Sequence, residues 1–264
     1  MNMESTHLQN STNPAITYSE YYRLPFLSLF HADCMGIMAQ YPNKYFDMAI
    51  VDPPYDFSIG DKTNCYVSSG KYNKVQETRP KGGFKIGGNY MDSIEKAPNI
   101  EYFNELQRIS KNQIVFGGNY FTHILKPTTC WIVWDKEQPE KMHFAQAELC
   151  WCSFGRGLRI FKRSIAKDQN RVSNNHFKAL KYCRIHPTQK PIALYDWILR
   201  NYAEPNQKIL DTHFGSGSIA LAVDKANRLD KMNLHLTACE IDKEYIDKAI
   251  KRISESIKQG TLSF

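Results

Sequence analysis

Ile209-Leu-Asp-Thr-His-Phe-Gly-Ser-Gly-Ser218 sets two glycines, Gly215 and Gly217, between an apolar run read as a strand over Lys208–Asp211 and a helical pattern over Ser218–Ala226. A glycine bend at that junction lets backbone approach a ligand where a side chain would clash. The following run, Leu234 to Glu240, reads as a strand ending in an acid 23 residues after Gly217, where a carboxylate can take both ribose hydroxyls of a nucleoside. Two readings stay open on these residues. One is the nucleoside-binding half of a Rossmann-like α/β fold; the other is a turn needed only for tight strand-to-helix packing, with Glu240 an ordinary surface acid. A dinucleotide is less favoured, because Gly215-Ser-Gly217 is not followed by the third glycine of that fingerprint.

Upstream, Pro191 fits a first helical position, and Tyr195, Ile198, Leu199 and Tyr202 then repeat at helical spacing, which predicts an amphipathic helix laid on a sheet. Apolar runs at Leu27–Phe30, Phe46–Val51, Gln113–Phe116, Trp131–Trp134 and Glu148–Trp151 read as strands. Cys34–Gln40, Ile100–Ser110, Tyr120–Leu125 and Tyr245–Ile257 read as helices. Strands alternating with helices point to an α/β fold. The chain has 264 residues, 42% of them hydrophobic, enough for one domain over 25–264 behind a polar tail at 1–24. Residues 56–99 carry Gly, Ser, Asn and Lys with little periodicity and read as a long mobile loop, a kind that is commonly functional.

The formal net charge is +7 and the pI near 8.9, which suits a polyanionic partner without proving one. Positive charge concentrates in 156–184, where Arg156, Arg159, Lys162, Arg163, Lys167, Arg171, Lys178, Lys181 and Arg184 face the lone acid Asp168. This segment is a candidate nucleic-acid-contacting insert, or else a solvated basic face. The seven cysteines show no metal-type spacing; strand alternation puts Cys150 and Cys152 on one face as buried thiols. The first twenty residues are polar and no run is long enough to span a bilayer, so the expectation is a soluble cytoplasmic protein.

Asp52-Pro-Pro-Tyr55 follows the apolar strand Phe46–Val51. Its prolines stiffen the turn and remove two backbone donors, leaving carbonyls free to accept, and Asp52 is an acceptor when ionised. An amine on a nucleobase is a poor nucleophile because its lone pair is delocalised into the ring. Accepting its protons at Asp52 and the Pro53 carbonyl localises that pair, while Tyr55 offers a face on which an extruded base can stack. The scheme requires no metal. The plainer reading is a rigid turn that ends a strand.

Taken in order, Asp52-Pro-Pro-Tyr55, His186-Pro-Thr-Gln-Lys-Pro191 and Phe214-Gly-Ser-Gly-Ser218 resemble the beta-class DNA amino-methyltransferases of bacteria and phages. The resemblance spans Leu27 to Ile253. It implies a Rossmann-like methyltransferase fold dependent on S-adenosyl-L-methionine: a mixed, mostly parallel sheet with helices on both faces, a permuted motif order, and a small DNA-contacting insert. Asp52, Pro53, Pro54 and Tyr55 would then be catalytic, and Asp211, Phe214, Gly215, Ser216, Gly217, Ser218 and Glu240 would bind the cofactor. Asp33 matches the acid that receives the amino group of the cofactor's adenine, although it could simply cap the next helix. His186 and Lys190 match positions lining the methionine end, where an ammonium meets a carboxylate; a core histidine and a solvated lysine are the plain alternatives.

Asp ahead of the prolines resembles the adenine subset, so the implied reaction is N6 methylation of an adenine flipped from double-stranded DNA. N4-cytosine chemistry, RNA as substrate, and a methyltransferase-like binding subunit without turnover are the alternatives. Gln113–Tyr120 and Trp131–Lys136 are similar to segments of phage-type adenine methylases, although aromatic strands are also ordinary core. The glycine motif departs from the family's usual Asp-Pro-Phe: here Thr212 and His213 separate Asp211 from Phe214. A homodimer is permitted, and a companion restriction endonuclease and the recognition sequence stay open.

Overall fold

The computed structural model describes residues 18–55, 97–138, 145–164, 185 and 189–261. Most of the loop 56–99, the larger part of the basic segment 156–184, and His186 lie outside the described residues.

The chain runs β1 (Tyr22–Leu24), β2 (Leu27–His31), α1 (Cys34–Met38), β3 (Phe46–Val51), α2 (Ile100–Ile109), β4 (Ser110–Phe116), β5 (Trp131–Asp135), β6 (Ala147–Cys152) and β7 (Arg159–Lys162). There follow α3 (Ile192–Tyr202), β8 (Lys208–Asp211), α4 (Ser218–Asp230), β9 (His235–Glu240) and α5 (Lys243–Thr261). The strands form one sheet in the order β1-β2-β9-β8-β3-β4-β6-β5-β7. From β2 through β9, β8 and β3 to β4 every pairing is parallel; β1 and β6 pair antiparallel with their neighbours, and β7 runs parallel to β5.

The parallel centre explains the sequence pattern around it. Helices cover both faces of β3, so its run Phe-Asp-Met-Ala-Ile-Val is almost continuously buried instead of alternating with polar residues. The period of two survives in where the side chains go. Met48 and Ile50 join Ile114, Phe116 and Ile209 in a core with α3, α4 and α5, contributed by Leu194, Ile198, Ile219 and Ile246. Ala49 and Val51 join Val115 and Leu210 on the opposite face with Met38 of α1 and Tyr102, Phe103 and Leu106 of α2. The result is three layers with the sheet in the middle, and each fully buried Leu or Ile contributes about 1.5–3 kcal/mol of transfer free energy. Cys150 and Cys152 are both fully buried on one face of β6, as alternation requires.

The connection from β8 through α4 leads to β9 on one side, whereas the connection from β3 through α2 leads to β4 on the other. Neighbouring strands whose connections depart in opposite directions leave a crevice at their carboxyl ends, the usual ligand position in open α/β sheets. Asp52 follows β3 there, and Asp211 ends β8.

Local differences from the sequence reading have local causes. The polar tail yields to structure before residue 24, because Tyr22–Leu24 folds back through a two-residue turn onto β2. In place of the helix expected over Tyr120–Leu125 there is a single 3-10 turn, Gly118–Tyr120, preceded by Gly117 in the left-handed region at φ 64°. The basic segment begins with an unforeseen edge strand, β7, whose Ile160 is 54% exposed. Pro191 caps α3 instead of occupying its first turn. Among the described residues, no helix is long and apolar enough to cross a membrane.

Candidate active site

Asp52 sits on the turn leaving β3, and its carboxylate is drawn into the fold by a cation from the start of α3. Lys190 Nζ donates to Asp52 Oδ2 at 2.7 Å, with the lysine side chain 3% exposed and the aspartate 15%. The same ammonium lies 3.4 Å from Glu148 Oε2, an ion pair longer than a good hydrogen bond. Glu148 Oε1 is in turn 2.7 Å from Lys136 Nζ. Four charges therefore alternate in sign through the interior: Asp52, Lys190, Glu148, Lys136. Phe116 lies beneath the Lys190 ammonium at 5.3 Å and Trp134 beneath that of Lys136 at 5.4 Å, so aromatic faces complete the shell. The resemblance implies a cofactor carboxylate as the partner of Lys190; the structure gives it two carboxylates of the chain itself.

The second carboxylate oxygen, Asp52 Oδ1, is buried and has no hydrogen-bond partner among the described residues. Buried acceptors are almost always satisfied, so an orphan at a turn following a central strand calls for a donor. Burial raises the acid's pKa, and Lys190 offsets only part of this, with Glu148 pushing the same way as burial. Lys190 is held protonated: burial works against its charge, and Asp52 and Glu148 together outweigh it. Glu148 ends below the usual carboxylate range, since Lys190 and Lys136 overcome its burial.

Tyr55 lies flat on Tyr120, ring centres 4.6 Å apart and planes 8° from parallel. One face of the Tyr55 ring is thus covered by Tyr120. A β-carbon on Gly117 would come within 2.6–2.7 Å of Tyr55 ring carbons, so the stack depends on glycine as well as on the residue's left-handed φ. Gly117→Ala is expected to displace Tyr55 from Tyr120 and to lower the melting temperature, which a thermal melt read beside the near-ultraviolet dichroism of the tyrosines checks. Pro53 is buried and Pro54 half-buried between these groups.

On the neighbouring strand, Asp211 is 2% exposed, and burial raises its pKa to about 8, eased by the hydrogen bond that Oδ1 accepts from His213 N and increased by Asp52 and Glu240. β3 and β8 pair in parallel, Ala49 beside Leu210, so Asp52 and Asp211 leave neighbouring strands at the same edge of the sheet. Gly215 and Gly217 adopt φ 50° and 69°. Gly215 N donates to Glu240 Oε2 at 2.8 Å, and Glu240 Oε1 accepts from Ile241 N and Asp242 N. The acid at the end of β9 therefore ties the bend to its own strand while its four or so lone-pair sites, three of them taken by backbone donors, leave about one for a ligand. Burial raises its pKa against those three backbone donors.

Ser216 and Ser218 turn inward, their hydroxyls 3.1 Å apart, and Arg252 of α5 donates to Ser216 O and Ser218 Oγ. Phe214 is core. What the bend offers a ligand is backbone, at the start of a helix whose cap, Gly217, has no side chain to satisfy the first amides. Asp33 caps α1, its Oδ1 accepting from Met35 N and Gly36 N. The departure at Thr212 and His213 has a structural account: Tyr102 Oη and Thr212 Oγ1 are 2.6 Å apart, and Thr212 Oγ1 is 2.9 Å from His213 Nδ1. Burial lowers the His213 pKa to about 4, and Asp33 counteracts part of that. A separate cavity of about 290 Å³, lined by Lys44, Lys111, Lys126 and Trp151 among others, opens toward the amino-terminal edge of β4.

Asp52, Pro53, Pro54, Tyr55 and Lys190 thus meet in one cluster, and Asp211, Gly215, Ser216, Gly217, Ser218 and Glu240 form a second beside it. Glu148 and Arg252 lie in no quoted motif, while Gly117, Tyr120 and Lys136 fall in the segments Gln113–Tyr120 and Trp131–Lys136 without a role having been given to them. Of these, Glu148 carried a signal: it shares a strand face with Cys150 and Cys152, and a carboxylate on an apolar face needs a partner. In the basic segment, Arg156 donates to Asn201 O at 2.6 Å and rests on Tyr202.

Comparison with known proteins gives the family of the chain. The N6/N4 DNA methylase family matches residues 94–251, a stretch that holds Lys190, the glycine bend and Glu240 and begins after Asp52–Tyr55. The chain is 24% identical over 273 aligned residues to the Type II methyltransferase M2.LlaDCHI of Lactococcus lactis subsp. cremoris, covering 91% of this chain and 94% of that protein. It is 25% identical over 265 residues to the Type II methyltransferase M2.DpnII of Streptococcus pneumoniae, covering 88% and 91%. The crystal structure of the M1.HpyAVI-SAM complex superposes with a TM-score of 0.48 at 21% identity, covering 86% of this chain and 99% of that one. With more than half its length matched by the family, the chain belongs to the DNA methylases that act on exocyclic amines.

Proposed function

We propose that this protein transfers a methyl group from S-adenosyl-L-methionine to the N6 amine of an adenine flipped out of double-stranded DNA, in the cytoplasm. The observation that carries the reading is Asp52 Oδ1, a buried acceptor without a partner among the described residues, at the crevice between β3 and β8. An exocyclic amine supplies the missing donor. The second amine N–H donates a hydrogen bond to the Pro53 carbonyl, and donating from both N–H bonds localises the nitrogen lone pair. Tyr55 and Tyr120 hold the base plane, which offsets part of the few kcal/mol that extrusion costs.

The residues of the second cluster suit S-adenosyl-L-methionine. Gly215 and Gly217 let the bend approach a ligand, the uncapped first amides of α4 favour its polar groups, and Glu240 accepts from ribose hydroxyls; Asp33 is the candidate acceptor for the adenine amine. When bound, the cofactor supplies an electrophilic methyl on sulfur. The protein's share of the acceleration is then alignment of the amine and electrostatic stabilisation, with the Asp52 carboxylate facing the positive charge that builds on nitrogen, which is discharged when one N–H proton is lost after transfer. The Type II relatives support DNA as substrate, and aspartate ahead of the prolines supports adenine.

Unmethylated DNA of mixed sequence, incubated with labelled cofactor, digested to nucleosides and analysed by mass spectrometry, is expected to contain N6-methyladenine. Label in N4-methylcytosine alone would overturn the choice of base. No transfer to DNA by protein that binds the cofactor would favour a binding subunit without turnover.

A further inference from the structure

Glu148 and Lys136 belong to no motif that carries the chemistry, yet they are built into the same interior as Asp52. Glu148 Oε2 is buried with no hydrogen-bond partner among the described residues, its contact with Lys190 being the 3.4 Å ion pair. Lys136 fixes the opposite oxygen at 2.7 Å and is itself 10% exposed in its side chain. The Lys190 ammonium thus stands between two carboxylates, close to one and loosely held by the other. Moving it toward either changes the charge felt by Asp52.

We propose that Glu148, anchored by Lys136, is a positioning residue for methyl transfer: it sets through Lys190 how far the acceptor carboxylate of Asp52 stays ionised and which way its free oxygen points. This rests on the reading that Asp52 accepts the amine. Only the ionised carboxylate accepts two hydrogen bonds without spending an oxygen on its own proton, so the fraction ionised bears directly on rate. Among the described residues, the titratable groups around Asp52 are Lys190 ahead of α3, Glu148 and Cys150 on β6, Tyr55 on its own turn, Asp211 on β8 and Tyr195 on α3. Of these, Lys190 favours the ionised form and Glu148 disfavours it. An apolar network of the same shape would hold the backbone equally well but could not act on Asp52 in two opposite directions.

The test is the acid limb of kcat/KM for methyl transfer to mixed-sequence DNA, followed from about pH 5 to pH 9. Lys190→Met removes the neighbouring cation and is expected to move the limb to higher pH by about one to three units. Lys190→Arg, which restores the charge, should return it toward wild type. Glu148→Gln removes the neighbouring anion and frees Lys190 for Asp52, so the limb should move the other way, to lower pH. Limbs that stay in place in both variants, or move in the same direction, would overturn the proposal. Should Lys190→Met fail to fold, Glu148→Gln decides alone, since it leaves the Lys190–Asp52 pair in place. Asp52→Ala separates the two levels: full transfer in that variant sinks the acceptor reading itself, whereas lost transfer together with unmoved limbs sinks only the role of Glu148.

Discussion

Asp52→Ala is expected to reduce methyl transfer on the order of 10²–10³-fold, the scale seen when one preorganised group facing developing charge is removed, while cofactor affinity stays near wild type. The separation of these effects follows from the architecture. Asp52 lies on the turn after β3, whereas the glycine bend and Glu240 hang from β8 and β9, with their own hydrogen bonds to each other and to Arg252. Nothing in that second set is hydrogen-bonded to Asp52. The variant also takes from Lys190 its 2.7 Å partner, leaving the looser 3.4 Å contact with Glu148 in place, and breaking one side of a buried ion pair costs about 3–5 kcal/mol. A lower melting temperature is therefore expected alongside the lost activity, and calorimetric binding of the cofactor by the folded fraction tells the two apart. Asp52→Asn keeps the shape but turns one acceptor into a donor aimed at Lys190 or at the incoming amine, so it should also transfer poorly. Transfer at the wild-type rate by either variant would remove Asp52 from the chemistry.

The parts of this site that the sequence made legible are those held by backbone. Gly215, Gly217 and Glu240 could be placed because a strand, a bend, a helix and a second strand follow one another within a single local unit, so chain order determines proximity. Asp52 was legible for the same reason, as a strand end closed by two prolines. What joins the two units is β3 lying beside β8, a pairing between segments far apart in the chain, which local pattern does not specify; the resemblance implied it and the register of Met48 with Ile209 realises it. The side-chain network was harder to read. Lys190 looks like a solvated or ligand-facing lysine until β6 brings Glu148 to it, and β6 reaches its place only through an antiparallel pairing with β4. Tyr120 falls in a stretch that reads as a helix, but Gly117 at positive φ precedes a single 3-10 turn there and the ring lies on Tyr55. The serines of the glycine motif read as ligand contacts from the resemblance. Their burial against Arg252, a residue on the last helix, could not be inferred from the motif alone.

Gly217→Asp is expected to abolish the calorimetric heat of S-adenosyl-L-methionine binding. Gly217 sits at φ 69°, a region that costs an L-residue about 1–2 kcal/mol. Strain alone would weaken binding without eliminating it. The larger effect comes from where the new side chain must go: a β-carbon there lies 3.1 Å from Ile253, 3.2 Å from Phe214 and 3.3 Å from Ala249, all apolar and packed between the bend and α5. A carboxylate cannot be left in that company unpaired, so the bend must lift away from α5 to bring it to water. Lifting carries Gly215 away from Glu240, breaking the hydrogen bond that holds the acid at the end of β9 toward the crevice, and it separates Ser216 and Ser218 from Arg252. Gly217→Ala supplies the graded control: the same φ and nearly the same contacts without the charge, so measurable but weakened binding is expected from it. If Gly217→Asp bound the cofactor as tightly as wild type, the bend would be a packing device between β8 and α4, and the cofactor would have to be held elsewhere on the sheet.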